Sequence, residues 1–511
     1  MQFGPMFVST FAALLTLTSS AVADAADAAD ATSAINPGQL IIMPVAGAGI
    51  DIKSPSDKSY AANEAKGPST TWRGLHVLKH DFISGAMLVS VPVGTELAAA
   101  AAWTAQPDVR FAEPNSTSMR AGGFLAPPND ALDGPPNDTH FESQWNLHNT
   151  GQQGGTPDAD IDVLGAWSLT TGDPDVVIAV IDSGVNFAHP DLIGRLMQGG
   201  FDFVDFDSDP SDLNGVGTRV AGVIAANWNN DFALAGVDPS ALILPLRVFD
   251  ENATGTPFET AQAINFCAAR DDVDIISMSI VSSSQSQLVT EALENARNAG
   301  QILIACAGNG GIGNADVSMP GASPFTLSIG ATRRDDGRAN FSGTGAALDF
   351  VAPSDFVPTL PWNFGVDNFD VTSGCGIATP MVAGIVSLMV AEANAAGVTL
   401  THDEVRALLV QAAIDEIGTP FQDQPGRDDF FGHGRVNARL AILATRAFIT
   451  SCPADIDGST AVDFGDLLTL LSCFGNSDEA CLALDLAGDD NLVTFEDLLA
   501  LLSAWGPCPK L

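Results

Sequence analysis

The chain has 511 residues, 46% of them hydrophobic, enough for two or three folded units with sizeable cores. Lys and Arg number 21 against 62 Asp and Glu, a formal charge of −41. A chain this acidic repels nucleic acid and anionic membranes; it suits calcium binding, a salty extracellular setting or plain solubility.

Residues 1–23 read as a secretion signal. Phe7 to Leu17 is mostly apolar and uncharged, although no Lys or Arg precedes it, and Ala21-Val22-Ala23 offers small-x-small cleavage before Asp24. No later run approaches the roughly 18 apolar residues of a spanning helix. The expectation is a secreted, extracellular protein without a transmembrane segment. Residues 24–35 are an Ala/Asp spacer. Residues 36–116 read as a small α/β unit, with strands at Leu40–Met43, Ala86–Val91 and Val109–Ala112 and a helix at Glu96–Ala105. Residues 117–140, which hold Pro127-Pro128 and Pro135-Pro136, read as a flexible linker.

The block 141–448 alternates short apolar runs with helical patterns. Val176–Ile181, Leu242–Phe249, Asp274–Ile280 and Ile302–Ala307 have buried-strand character. Thr218–Asn227, Phe258–Ala269 and Gln287–Ala299 have helical periodicity, and Ala378–Ala396 reads as a long buried helix. Such alternation predicts an α/β domain: a parallel sheet with right-handed crossovers, sandwiched by helices, with sites at the carboxyl ends of the strands. Residues 452–509 hold a near-repeat, Val462-Asp463-Phe464-Gly465-Asp466-Leu467-Leu468 against Val493-Thr494-Phe495-Glu496-Asp497-Leu498-Leu499.

There are seven cysteines. Cys267, Cys306 and Cys375 are scattered; Cys452, Cys473, Cys481 and Cys508 crowd the C-terminus and suggest disulfides in an exported chain. Four cysteines allow three pairings, all left open, and the odd total leaves a free thiol or an intermolecular bond.

Four segments of the central block carry one pattern. They are Ala179-Val180-Ile181-Asp182-Ser183-Gly184-Val185 with His189-Pro190-Asp191-Leu192; Asn214-Gly215-Val216-Gly217-Thr218-Arg219-Val220-Ala221-Gly222; Ala307-Gly308-Asn309-Gly310-Gly311; and Ser373-Gly374-Cys375-Gly376-Ile377-Ala378-Thr379-Pro380-Met381-Val382-Ala383-Gly384. In this order they resemble the subtilisin family of serine proteases, over about 300 residues. The resemblance implies a serine endopeptidase scaffold. In such a site a carboxylate orients an imidazole, the imidazole takes the serine proton, and an Asn side chain donates to the oxyanion.

The resemblance puts the carboxylate at Asp182 and the oxyanion donor at Asn309. The base position holds Val216 and the nucleophile position holds Gly376, neither of which can do the chemistry. Arg219 and Met381 stand where the family usually has His. The substrate-lining strand, Ser279-Ile280-Val281, has Val281 in place of the usual glycine, which calls peptide binding there into question. His189 matches a family position without catalytic use. His76, His80, His140, His148, His402 and His433 lie away from the four segments. Cys375 is the one candidate for a substitute nucleophile. Gly184, Gly217, Gly222, Gly308, Pro380 and Gly384 hold the turn and packing positions, so the fold is expected intact. The leading expectation is a non-catalytic protease homologue that binds a peptide or protein ligand or acts as a scaffold. The alternatives are an endopeptidase with a non-standard site, and a scaffold whose only working part is its C-terminal unit.

The flanking units carry resemblances too. Residues 36–116 resemble a subtilisin propeptide, which a chain without its own cutting chemistry would keep attached. Residues 452–509 resemble a dockerin-type calcium module with EF-hand-like loops. The first loop places Asp455, Asp457, Ser459, Ala461, Asp463 and Asp466 at ligand positions, with Thr460 where Gly is usual. The second offers Asp485, Asp489, Asp490 and Asp497 and is one residue too long. The implied cofactor is calcium, and the implied partner is another protein or the cell surface.

Overall fold

The computed structural model describes residues 35–44, 71–72, 75–80, 86–93, 95–107, 109–116, 118–120, 124–126 and 136–450, apart from gaps at 283, 312–316 and 363–367, and in the C-terminal unit residues 456, 461–462, 464–476, 481, 486, 493–503 and 506–507. The predicted signal and spacer lie outside these residues.

The N-terminal unit is a five-stranded antiparallel sheet. Its elements are β1 (Ile35–Pro44), β2 (Thr71–Trp72), β3 (Leu75–His80), β4 (Met87–Ser90), helix α1 (Glu96–Thr104) and β5 (Val109–Ser116), in the order β2-β3-β4-β1-β5. Alternation along β1 splits its side chains between two cores. Leu40 and Ile42 join Ala100 of α1. Ile41 and Met43 join a cluster that belongs to the central domain.

Two short strands follow, β6 (Ser118–Arg120) and β7 (Phe124–Ala126). The stretch read as a flexible linker thus carries strands. Turn residues dominate its sequence, so the pairing comes from partners far along the chain rather than from local propensity.

The central domain begins with α2 (Val163–Trp167) and β8 (Val177–Asp182), then β9 (Phe201–Asp202), α3 (Val216–Ala225), β10 (Leu242–Arg247), β11 (Thr254–Gly255), α4 (Pro257–Ala268), β12 (Ile275–Met278), β13 (Ile280–Val281), α5 (Gln287–Asn298), β14 (Ile302–Cys306), β15 (Leu327–Thr332), β16 (Phe350–Pro353), β17 (Val357–Thr359), β18 (Asp370–Ser373), α6 (Cys375–Ala395), α7 (His402–Ala412) and α8 (Ala438–Thr450). Seven strands form one parallel sheet, β16-β15-β14-β12-β8-β10-β9. The predicted parallel α/β domain is what folds.

Every residue of β8 is buried, and its two faces feed different cores. Ile178 and Val180 meet α3, α6, α7 and α8. Val177, Ala179 and Ile181 meet α4, α5 and the N-terminal sheet. Lys79 of β3 pairs with Glu259 at 2.7 Å and donates to Phe203 O at 3.2 Å. Glu113 of β5 accepts from the Gln287 N–H at 2.9 Å and from the Ser286 hydroxyl, at the first turn of α5. Burial pushes the Glu113 carboxyl above its usual range despite these donors.

Helix α6 is long and apolar enough to cross a membrane, but 94% of its apolar window is buried inside the protein. It starts three residues before the predicted boundary, which was placed close to Pro380. A proline in a helix leaves the carbonyl four residues earlier without its N–H partner. That carbonyl is Gly376 O, and the Ser279 hydroxyl donates to it at 2.8 Å. This bond lets the helix run through Pro380.

His402 opens α7 and is 5% exposed; its Nδ1 accepts from the Leu303 N–H at 3.2 Å. Burial pushes its pKa down to about 4. The unfolded chain therefore binds more protons between pH 4 and 6.5, and this group's contribution, full above pH 6.5, is lost as pH falls towards 4. Asp238, raised to about 6 by burial, has the opposite sign: its contribution is lost as pH rises through 6. The two offset in wild type. In His402→Gln the stability deficit against wild type should be about 3 kcal/mol larger at pH 7 than at pH 4, as read by urea denaturation at the two pH values.

The C-terminal unit contains β19 (Ala461–Val462), α9 (Phe464–Ser472), α10 (Phe495–Ser503) and β20 (Gly506–Pro507). The helices belong to the two halves of the near-repeat. Val462, Leu470, Val493 and Leu501 form its core, and Cys473 bonds to Cys481.

Candidate functional site

The four motif segments meet at the carboxyl end of the parallel sheet. Asp182 is the last residue of β8 and is fully buried; its Oδ1 accepts from the Ser183 N–H at 2.7 Å. The turn after it is tied to the first turn of α3 through Asp212. That carboxylate accepts from the Ser183 hydroxyl (2.9 Å), the Gly215 N–H (2.7 Å) and the Thr218 N–H and hydroxyl (3.0 and 2.6 Å). The Gly217 N–H donates in turn to Ser183 Oγ at 3.0 Å. Sequence reasoning gave Ser183 no role and passed over Asp212, although it lies four residues before Val216.

Val216 is the first residue of α3, 6% exposed and part of the apolar core. Beside it, the Trp362 indole donates to Asp212 O at 3.2 Å, and the Asn186 amide donates to Trp362 O, also at 3.2 Å. Arg219, one turn on, pairs with Asp370 of β18 at 2.9 Å and donates to Gly215 O. The position of a proton acceptor thus holds an aliphatic side chain, with Trp362 packed near Gly215 just before it.

Gly376 is the second residue of α6. Asn309 follows β14, and its Oδ1 accepts from the Cys375 N–H at 2.9 Å. Cys375 is disulfide-bonded to Cys306, and both are fully buried. This corrects the reading of Cys375 as a candidate nucleophile: its sulfur is already bonded. Cys267 is the free thiol among the described cysteines; burial raises its pKa, which holds it as the thiol. His189 is buried, and its ring Nδ1 accepts from the Asp191 N–H at 3.2 Å. It caps a short helical turn.

The strand that the resemblance assigns to substrate, Ser279-Ile280-Val281, is paired. Residues 118–120 form the middle strand of a three-stranded antiparallel sheet, β11-β6-β13. Met119 lies opposite Thr254 on one side and Val281 on the other; Arg120 lies opposite Ile280. Val281 therefore does not bar a peptide strand, contrary to the sequence expectation. A β-branched residue in an antiparallel pair keeps its backbone groups available and turns its side chain to one face. Here Val281 packs down onto the two cysteines. Residues 124–126 pair antiparallel with β18, Phe124 opposite Ser373. β6 thus lies between β11 and β13, and β7 lies beside β18, which ends three residues before Gly376.

Among the described residues, no three His, Cys, Asp or Glu side chains are grouped to hold a metal. Seven of the expected calcium ligands, Asp455, Asp457, Ser459, Asp463, Asp485, Asp489 and Asp490, lie outside the described residues. Asp466 and Asp497 are inside and fully buried. Asp466 Oδ1 accepts from the Ile456 N–H at 2.6 Å, and Asp497 Oδ1 accepts from the Leu486 N–H. Both repeats thus use the last loop carboxylate in the same way, across ten residues in one and eleven in the other.

The sequence profile of the subtilase family matches residues 173–434. The chain belongs to the subtilase family. It is 33% identical to the thermophilic serine proteinase of Bacillus sp. (strain AK1), over 68% of this chain and 77% of that one. It is 32% identical to thermitase of Thermoactinomyces vulgaris, over 60% of this chain and 99% of that one. It is 36% identical to alkaline elastase YaB of Bacillus sp. (strain YaB), over 52% and 64%. The profile match spans the parallel sheet, where the motif segments fall near the ends of β8, β14 and β18 and the starts of α3 and α6.

Proposed function

We propose that this subtilase is an exported protein that does not cut peptides, and that its groove works as a strand-binding site, held in the intact chain by residues 118–120 and 124–126. One observation carries the first half: the base and nucleophile positions are Val216 and Gly376. In subtilisin, the family's prototype, losing either residue costs about two million-fold in turnover. That is roughly 8–9 kcal/mol of barrier. An Asn oxyanion donor alone leaves roughly a thousand-fold over water. The strand pairing of β6 and β7 supports the second half. Export is supported by the leader-like N-terminus and by relatives named extracellular and cell wall-associated proteases. Against the rival reading, an endopeptidase with a non-standard site, stands the bond of Cys375, the substitute nucleophile considered from the sequence, to Cys306.

Purified protein in calcium should hydrolyse quenched-fluorescent peptides and casein no faster than Asp182→Ala, and should give the mass of a chain uncut at 118–126. Turnover that vanishes in Asp182→Ala would refute the proposal.

A second role is favoured by the repeated Asp466 and Asp497 bonds: a calcium-stabilised attachment module at 452–509. The outward faces of α9 and α10 support a protein partner. Phe464, Leu468 and Leu471 match Phe495, Leu499 and Leu502 across the repeat, and all six are exposed. No Lys, Arg or His lies between Arg446 and Lys510, which disfavours an anionic surface. Calcium titration of the full chain should show saturable binding that Asp466→Ala weakens at least ten-fold. Unchanged binding in that variant would reject the first loop as the site.

A further inference from the structure

We propose that the Cys306–Cys375 disulfide is a redox-sensitive lock on the groove, which holds the strands 118–120 and 124–126 in place while oxidised and releases them when reduced. The inference rests on the reading of the groove as a strand-binding site. Cys306 ends β14, three residues before Asn309. Cys375 opens α6, two residues after Ser373, the end of β18. Val281 of β13 packs against both cysteines. The Gly308 N–H lies 3.3 Å from one sulfur and 3.1 Å from the other. The bond therefore sits beneath β13, which pairs with 118–120, and beside β18, which pairs with 124–126. Both walls of the groove lean on it.

Both cysteines are fully enclosed. Reduction removes the covalent tie between the end of β14 and the start of α6, which leaves the two segments free to separate. That movement spoils the bond from the Cys375 N–H to Asn309 and the seat of Val281. The chemistry is thiol–disulfide exchange with a dithiol. Its thiolate attacks one sulfur and breaks the S–S bond, and its second thiol resolves the mixed disulfide. Cys306 and Cys375 leave as thiols, and the reductant ends as a cyclic disulfide. An enclosed bond can be attacked only after Val281 of β13 is displaced, so loss of the strand paired to β13 and reduction of the bond favour each other.

The test uses the full-length protein and dithiothreitol, with each disulfide followed by differential alkylation and mass spectrometry and with amide exchange read over 118–126. Cys473–Cys481 should be reduced at least ten-fold faster than Cys306–Cys375. Met119→Pro removes an N–H from the middle strand and should speed reduction of Cys306–Cys375 about ten-fold, leaving Cys473–Cys481 unchanged. Reduced wild type, and Cys306→Ala/Cys375→Ala, should exchange 118–126 at least ten-fold faster, with β8 and α6 still protected. Equal reduction rates in wild type and Met119→Pro, or equal exchange at 118–126 in oxidised and reduced protein, overturns the lock. Unprotected 118–126 in oxidised wild type overturns the groove reading itself, and the lock with it.

Discussion

Val216→His/Gly376→Ser is expected to cut its own chain between residues 120 and 124, while each single substitution leaves the chain whole. The parts around the two positions are in place. Asp182 ends β8, and Asp212 holds the turn after it to the first turn of α3. A histidine at 216 would therefore start from a fixed helix terminus beside the carboxylate. A serine at 376 would sit at the second residue of α6, with Asn309 held to the adjacent Cys375 N–H. The substrate is supplied by β6 and β7, which pair on either side of the centre. The triad acts as a unit, so neither residue helps without the other. We expect a gain of at least ~1,000-fold in the rate of chain cleavage over wild type, read as two fragments on a gel with a new N-terminus at 121–124. A folded double variant that stays whole for days would mean that 118–126 does not lie as a substrate would. A cut elsewhere would mean that another segment uses the groove.

The contrast between legible and hidden features follows from the range of the interactions. β8, β10, β12 and β14 announce themselves because strands buried on both faces must be apolar throughout. The helices announce themselves by their period. The motif positions were legible because the segments fix their order: Asp182, Val216, Asn309 and Gly376 fall at or just after strand ends and at helix starts, where a parallel sheet gathers its sites. β6 and β7 were not. Three-residue strands between glycines and prolines show no alternation, and their partners β11, β13 and β18 lie more than 100 residues away. The start of α6 was hidden for a related reason. Only the distant Ser279 hydroxyl makes Pro380 acceptable inside the helix. The Cys306–Cys375 bond spans 69 residues. Its signal was present in combination: each cysteine lies within three residues of a motif position, and those positions converge.

The second large effect concerns a motif residue that stays although the chemistry it accompanied has gone. Gly217→Ala is expected to destabilise the central domain by about 3–5 kcal/mol, among the largest costs of a single substitution. A Cβ at 217 would overlap the Gly184 carbonyl oxygen, with the Gly184 carbonyl carbon at 3.0 Å. The obstacle is backbone, so no side chain can swing aside. The two segments cannot separate either, because the Gly217 N–H is bonded to Ser183 Oγ and Ser183 to Asp212. Moving them apart gives up buried hydrogen bonds as well as packing. Gly300→Ala is the control: its φ is +98°, but nothing lies within 4 Å of the added carbon, so it should cost only about 1 kcal/mol of backbone strain. Urea denaturation of both variants separates the two causes. A cost at Gly217 no greater than at Gly300 would show that the turn after β8 yields, and that Gly217 is not held in place by the close approach of α3 to β8. The expected large difference says why Gly217 persists beside Val216. Its role is to let two backbones touch, and that requirement is independent of whether an imidazole follows the turn.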